Sequence, residues 1–374
     1  MAFILRDYTE PDFSVPALAD APDACICAVQ KDGVAPQGYQ AMSIYPEYFK
    51  VKGQWLMAQE SRMDCVPVLK NGVIEVTEPR RLRTGDLVIC GRTEDGSEGI
   101  YLWQFGFERP DRAMEQFAFR QGRSRETAFS RDYDEIYELL KYEKEHGNIL
   151  WVMGPAFAFD SDARNAFSKI ITGGYAHALL AGNALATHDL EGAYLNTALG
   201  QNIYTQENQP LGHYNHLDTI NRVKECGSIP AFLEQEHIDN GIIYSCEKHN
   251  VPYVLAGSIR DDGPLPGVYG NVYEAQDRMR DCIRKATTVI CMATMLHTIA
   301  AGNMTPSYRV MPDGRVRQVY FYCVDISEFT VNKLADRGSL SAKGIITNVQ
   351  DFIVHLSKAL GAWEYRNDTR EDIR

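Results

Sequence analysis

The stretch NILWVMGP (148–155) decides the fold. Five apolar residues in a row, Ile149–Met153, end at a Gly-Pro pair, which makes them a short, fully buried strand with a turn behind it. Five further apolar runs follow at 175–180, 251–256, 289–293, 319–324 and 344–347, with small or polar residues and helical patterns between them. Ahead of the first run, Tyr133, Ile136, Tyr137, Leu139 and Leu140 sit at helical spacing and stop at Gly147. After the last, Phe352, Leu356 and Leu360 form one apolar stripe. Strands that are apolar almost throughout must be covered on both faces. The reading is an α/β fold: a doubly wound, mostly parallel sheet of six strands.

The chain changes character near residue 125. Before it, 65–69, 73–76, 87–90 and 100–103 are strand-like, with Asn71-Gly72 and Thr84-Gly85 as turn signals. Residues 112–130 are polar and arginine-rich, as in a linker or surface segment. The expected division is a β-rich region over 1–125 and a ligand-binding α/β domain over 126–374. The whole chain has 374 residues, with 38 basic against 50 acidic side chains and a net charge of −12. That balance argues against nucleic acid and against anionic membranes, which both need basic surface. No apolar stretch approaches the roughly 20 residues of a membrane span. A charge arrives by Arg6, too early for a secretory signal. Nine cysteines without a CxxC pair suit reduced thiols in the cytoplasm.

In an open parallel sheet, ligands bind beyond the carboxyl ends of the strands. Those ends read Gly154-Pro155-Ala156, Ala181-Gly182-Asn183-Ala184, Ala256 to Pro264, Thr294-Met295-Leu296-His297, Asp325, and Asn348-Val349. Small residues there let backbone approach a pyrophosphate, and helix N-termini offer it N–H donors. A carboxylate such as Asp262 or Asp325 suits ribose hydroxyls. The GxGxxG fingerprint is absent; Gly173-Gly174 reads as a helix end. Arg260, Asp261 and Asp262 form a dense charge cluster braced by Gly263-Pro264-Leu265-Pro266. The histidines need a bland reading first. His213 and His216, with Cys226 downstream, lack a second ligand pair at zinc spacing, so no metal is expected. His177 and His188 read as satisfied polar residues, whereas His297 follows a strand end where an imidazole can face a cofactor.

The segments AGNALATHDLE (181–191), VPYVLAGSIRDDGPLP (251–266), ATMLHTIAAGNM (293–304) and KLADRGS (333–339) resemble the archaeal-type ornithine cyclodeaminase family, also described as the LOR/SDH conserved-region family. The resemblance runs from about Gly154 to Leu356 and continues more weakly toward the N-terminus. It implies a Rossmann-like, deoxyhypusine-synthase-like NAD-binding domain, which accounts for the missing fingerprint. It implies NAD contacts at Asn183, Ala184, Asp262, Thr294, Met295, Leu296, His297, Asp325, and at Asn348 and Val349, where Asn348 stands for the family's Asp. The chain departs from the family pattern at Phe157-Ala158-Phe159, at Leu211-Gly212-His213, and at 309–317, which reads as an insertion. The implied chemistry is redox-neutral: an amino acid is oxidised at Cα, a side-chain amine closes a ring on the imine, ammonia leaves, and the ring is reduced.

Asp261, Lys333 and Arg260 are the expected catalytic groups, for the substrate ammonium, for acid/base work and for a carboxylate. Three functions are compatible with these residues. The first is NAD-dependent conversion of ornithine to proline and ammonia. The second is a related NAD-dependent lyase or oxidoreductase on another amino acid or a guanidino compound. The third is a non-enzymatic metabolite sensor, which the retained 261–262 and 294–297 segments disfavour. A homo-oligomer, a small amino-acid substrate and no appended arginine-degrading domain complete the expectation.

Overall fold

The computed structural model describes residues 3–107, 130–261, 263–329, 331 and 342–362. Seven strands lie within residues 3–107: β1 (Cys25–Ala28), β2 (Glu47–Val51), β3 (Gln54–Met57), β4 (Val66–Lys70), β5 (Val73–Thr77), β6 (Leu87–Cys90) and β7 (Ile100–Leu102). They form two antiparallel sheets, ordered β1-β6-β4-β5 and β3-β2-β7. Four of the seven correspond to the strand-like runs at 65–69, 73–76, 87–90 and 100–103. The sequence reading missed β2 and β3, because EYFKV buries all five residues and so has no polar face to alternate with. Both of its charged side chains make hydrogen bonds within the fold. Lys50 Nζ donates to the carbonyls of Ala19 and Ala21 at 2.8 and 2.7 Å. Burial pushes the Glu47 carboxyl up to about 7, against the hydrogen bond it accepts from Ser43 N.

The second part is built on β8 (Ile149–Met153), β9 (Ala178–Gly182), β12 (Tyr253–Ala256), β13 (Thr288–Met292), β16 (Tyr320–Asp325) and β17 (Ala342–Ile346). All six run parallel, in the order β12-β9-β8-β13-β16-β17. The chain therefore starts in the middle, winds outward to one edge, returns, and winds to the other. The reversal falls between β8 and β13, which is where such sheets open a crevice. The six expected strands are present, with the second displaced. Tyr175 is drawn out of β9 because its carbonyl takes the indole N–H of the buried Trp151 at 2.8 Å. Helices Ser161–Thr172, Val272–Ile283 and Val349–Ala359 are capped by Asp160, Asn271 and Asn348, whose side chains accept first-turn N–H groups. Between β9 and β12, Thr197–Ala198 and Gln201–Asn202 (β10, β11) make a small hairpin. No helix among the described residues is long and apolar enough to cross a membrane.

The expected insertion at 309–317 is a second hairpin, β14 (Tyr308–Val310) with β15 (Val316–Gln318). It lies against the N-terminal sheets rather than over the parallel sheet: Val310 N donates to the Gln59 carbonyl at 2.9 Å and Tyr308 OH to that of Ala58 at 2.9 Å. Buried Arg280 adds a bond to the Met304 carbonyl and an ion pair with Glu60. The expected boundary at residue 125 lies outside the described residues.

Two expectations follow from the sheet. Gly154 N donates to the Met292 carbonyl at 2.9 Å, and a Cβ on Gly154 would lie 1.8 Å from the carbonyl oxygen of Ala293. The obstacle is backbone, so Gly154→Ala must part β8 from β13. We expect a loss on the order of 3 kcal/mol, read from urea denaturation; an unchanged midpoint would show that the strands separate freely. At the opposite, amino edge, His177 Nδ1 accepts from Ile149 N at 2.9 Å, and burial depresses its pKa. Below the ordinary imidazole pKa of about 6.5 the unfolded chain then binds more protons than the folded one, so stability rises with pH through that window and falls on acidification. His177→Asn keeps an acceptor without a titrating proton. It should flatten the stability-versus-pH curve below pH about 6.5; a curve that keeps the wild-type slope would exclude His177 as its source.

Candidate functional site

A cleft of about 780 Å³ opens at the carboxyl ends of β8, β9, β12 and β13. Its floor is made by the turns after these strands: Gly154-Pro155, Gly182-Asn183-Ala184, Ser258 with Arg260 and Asp261, and Thr294 with Leu296 and His297. Two helices begin at this floor, Asn183–Leu195 behind Gly182 and Met295–Met304 behind Thr294, and neither has a side-chain cap. Their first-turn N–H groups are the kind of donor that meets a phosphate. Glycine is needed at 182 because a Cβ there would stand 2.8 Å from Cε1 of His297. Ala293, at the end of β13, takes φ of +57°, a left-handed conformation that costs a non-glycine residue energy and that recurs at ligand sites.

The residues expected from strand ends divide into groups. Asn183 is buried, and its Oδ1 accepts from Leu265 N at 3.0 Å, which ties the loop after β12 to the cleft. Ala184, Thr294, Leu296 and His297 line the cleft, whereas Met295 is 45% exposed beside it. Burial lowers the His297 pKa, and the carboxylate of Asp261 opposes that fall. Asp261 lines the cleft and accepts from Ser258 N at 2.8 Å; Arg260 lines it from the solvent side. Asp325 and the Asn348-Val349 pair are not among the lining residues. Asp325 Oδ1 accepts from Ser327 N at 2.8 Å, and Asn348 is engaged as a helix cap. The strands that carry them, β16 and β17, lie beyond β13 on the far side of the reversal. Asp262 and Lys333 lie outside the described residues.

The sequence reading missed the other wall. Helix Asn215–Cys226 contributes His216, Leu217, Ile220, Asn221 and Lys224. No local signal marks these positions as a wall, because they reach the cleft only through the packing of that helix on Asn183–Leu195. His188 was read as a satisfied polar residue. Its Nδ1 is indeed satisfied, by Glu191 at 2.9 Å, yet the residue also lines the cleft with Thr187. The signal was present in ALATHDLE: a helix burying Thr187, His188, Asp189 and Glu191 has no polar face to give to solvent. His177, by contrast, is at the amino edge, away from the cleft. Two buried atoms of the wall, His216 Nδ1 and Thr187 Oγ1, have no hydrogen-bond partner among the described residues. In a cleft, such atoms are sites for a ligand's hydrogen bonds.

Residues 135–356 match the family model for the arginine dihydrolase ArgZ-like C-terminal Rossmann fold. The chain is 39% identical over 342 residues to an ornithine cyclodeaminase of Methanocaldococcus jannaschii, covering 88% of this chain and 76% of that one. An LOR/SDH protein from Methanococcus maripaludis has a crystal structure that superposes with a TM-score of 0.81 at 35% identity, covering 91% of this chain and 98% of that one. A ternary complex of AgrE with ornithine and NAD+ superposes with a TM-score of 0.55 at 30% identity, covering 91% of this chain and 46% of that one. With 39% identity across most of both chains and a matching Rossmann domain beneath the cleft, this chain belongs to the archaeal-type ornithine cyclodeaminase family.

Proposed function

We propose that this protein is an NAD-dependent, redox-neutral cyclodeaminase that converts L-ornithine to L-proline and ammonia. One observation carries the reading: the cleft lies at the strand-order reversal of a Rossmann sheet and is walled by charged and imidazole side chains rather than by apolar ones alone. AgrE, a relative of the same fold, is known in complex with ornithine and NAD+.

The residues fit a dinucleotide. The volume of about 780 Å³ lies within the usual range for such ligands. Gly154 and Gly182 allow close backbone approach, and the two helices that start without side-chain caps leave N–H groups for a pyrophosphate. Asn183, Ala184, Thr294, Leu296 and His297 would hold the cofactor, with Asp262 as a further contact. The cofactor supplies reversible two-electron chemistry. The chain's own task is to orient an amino acid against it, keep water from the imine, and move protons. Arg260 and Lys224 are the lining cations available to the substrate carboxylate, and Asp261 is the lining carboxylate available to an ammonium. The departures at 157–159 and 309–317 bear unequally on substrate choice. Phe159 lines the cleft, while Phe157 is buried core and the 309–317 hairpin packs on the β-rich region.

The test is to incubate the protein with catalytic NAD and a panel of amino acids, and to follow ammonia, proline and reduced cofactor. We expect ornithine to yield proline and ammonia in equal amounts with no net reduced cofactor. Net reduction, or turnover of another amino acid or a guanidino compound alone, would replace this reading with the related lyase or oxidoreductase. No turnover of any of them would leave a sensor.

A further inference from the structure

The mechanism above needs a proton carrier, and the expected catalytic trio of Asp261, Arg260 and Lys333 does not account for the most elaborate polar arrangement in the cleft wall. Glu191 is fully buried on helix Asn183–Leu195. Its Oε1 accepts from Thr197 Oγ1 at 2.8 Å and Gly200 N at 3.1 Å; its Oε2 accepts from Leu199 N at 3.1 Å and His188 Nδ1 at 2.9 Å. Three of these donors belong to the β10–β11 hairpin, so the carboxylate is fixed before any substrate arrives. Burying a carboxylate is costly unless donors surround it, and here they converge from four sides. The fourth is an imidazole that lines the cleft.

A carboxylate that accepts from Nδ1 sets the tautomer of a histidine and leaves Nε2 as the nitrogen for chemistry. The ring plane is held as well. Phe159 packs on the His188 ring at 5.4 Å between centroids, and His216 stands on it at 6.2 Å with a buried Nδ1 that has no partner among the described residues. The neighbouring acid on the helix is not available for this work. Asp189 is spent on Arg164 Nε at 2.6 Å and on the N–H groups of Ile242 and Ile243.

We infer that His188 is the acid/base group that carries a proton between the two substrate nitrogens during ring closure, and that Glu191 is its positioning residue. This rests on the ornithine reading. In the step, the side-chain amine attacks the α-iminium carbon, a C–N bond forms, and the C=N pair moves onto the α-nitrogen. The new ring nitrogen is then an ammonium and the α-nitrogen an amine. His188 Nε2 takes one proton from the ring nitrogen and gives it to the α-nitrogen. The ring nitrogen's lone pair forms C=N as the bond to ammonia breaks with its pair. Protons and charge balance, and nothing is oxidised or reduced in this step. Both nitrogens are on one carbon, so a single fixed imidazole can serve both.

The test compares the full-length wild type with His188→Ala, Glu191→Gln and Glu191→Asp. With ornithine, His188→Ala should lose roughly 100-fold or more in kcat, keep its KM within about threefold, stay folded with a lowered melting temperature because buried Glu191 loses one of its four donors, and regain at least tenfold when imidazole is added to the open cleft. In a long-range proton–nitrogen NMR spectrum of histidine-labelled protein without cofactor, His188 should be the Nδ1–H tautomer. Glu191→Gln should convert it to the other tautomer and lower kcat with little change in KM. Glu191→Asp, which keeps the charge on a shorter arm, should retain the tautomer and recover part of kcat if the amide variant does not fold. A His188→Ala enzyme within threefold of wild-type kcat, or an Nε2–H tautomer in the wild type, overturns the assignment alone. A wild type inactive toward ornithine overturns the functional reading, and this assignment with it.

Discussion

Arg164 and Asp189 are 2% and 1% exposed and meet at 2.6 Å in the middle of the helical layer. The pair joins helix Ser161–Thr172 to helix Asn183–Leu195. Asp189 also holds the first two N–H groups of helix Ile242–Lys248, while Arg164 reaches Asn240 at 2.6 Å. A buried pair of this kind is a weak source of net stability, because desolvation cancels most of the attraction. Its value here is in orientation. A buried carboxylate with three fixed donors tolerates one arrangement of three helices, and that arrangement puts Thr187 and His188 at the cleft. Gly241 belongs to the same knot, since a Cβ there would stand 2.3 Å from the Arg164 guanidinium.

From this helix outward, the cleft is a junction of two kinds of constraint. The floor is backbone: strand ends, glycines and uncapped helix starts, which a phosphate can approach because side chains are absent. The wall is side chain: His188 from the helix that starts at the floor, His216 and Lys224 from helix Asn215–Cys226, and Asp261 from the loop after β12. The acidic chain makes this division necessary. With a net charge of −12, an anionic cofactor would have to be met by local N–H groups rather than by the overall field.

Much of the fold was legible because parallel strands advertise themselves. Ile149–Met153 buries all five residues, and the run of five apolar letters says so directly. The same logic failed at β2, where burial of Glu47 and Lys50 is bought by hydrogen bonds that no local pattern announces. In the site, turns at strand ends were legible because topology alone places them at one edge. Asn183, Ala184, Thr294 and His297 were found that way. His216 and Lys224 were not, because a helix between two strands shows one polar face whether that face meets water or a cleft. His188 was read as a satisfied polar residue, and its bond to Glu191 agrees with that; that it also lines the cleft depends on which elements pack around its helix.

The sequence by itself determined the layers, the six strands and the edge at which ligands gather, since hydrophobic periodicity and chain direction are local properties. It also carried a family resemblance, written in the segments at those strand ends. Tertiary structure decided the rest: which strands flank the reversal, that the 309–317 hairpin braces the β-rich region instead of the cleft, and that Asp189 and Glu191, two residues apart on one helix, take different partners. Those outcomes depend on which groups meet across long stretches of chain, and a buried charge takes its role from the partners that reach it.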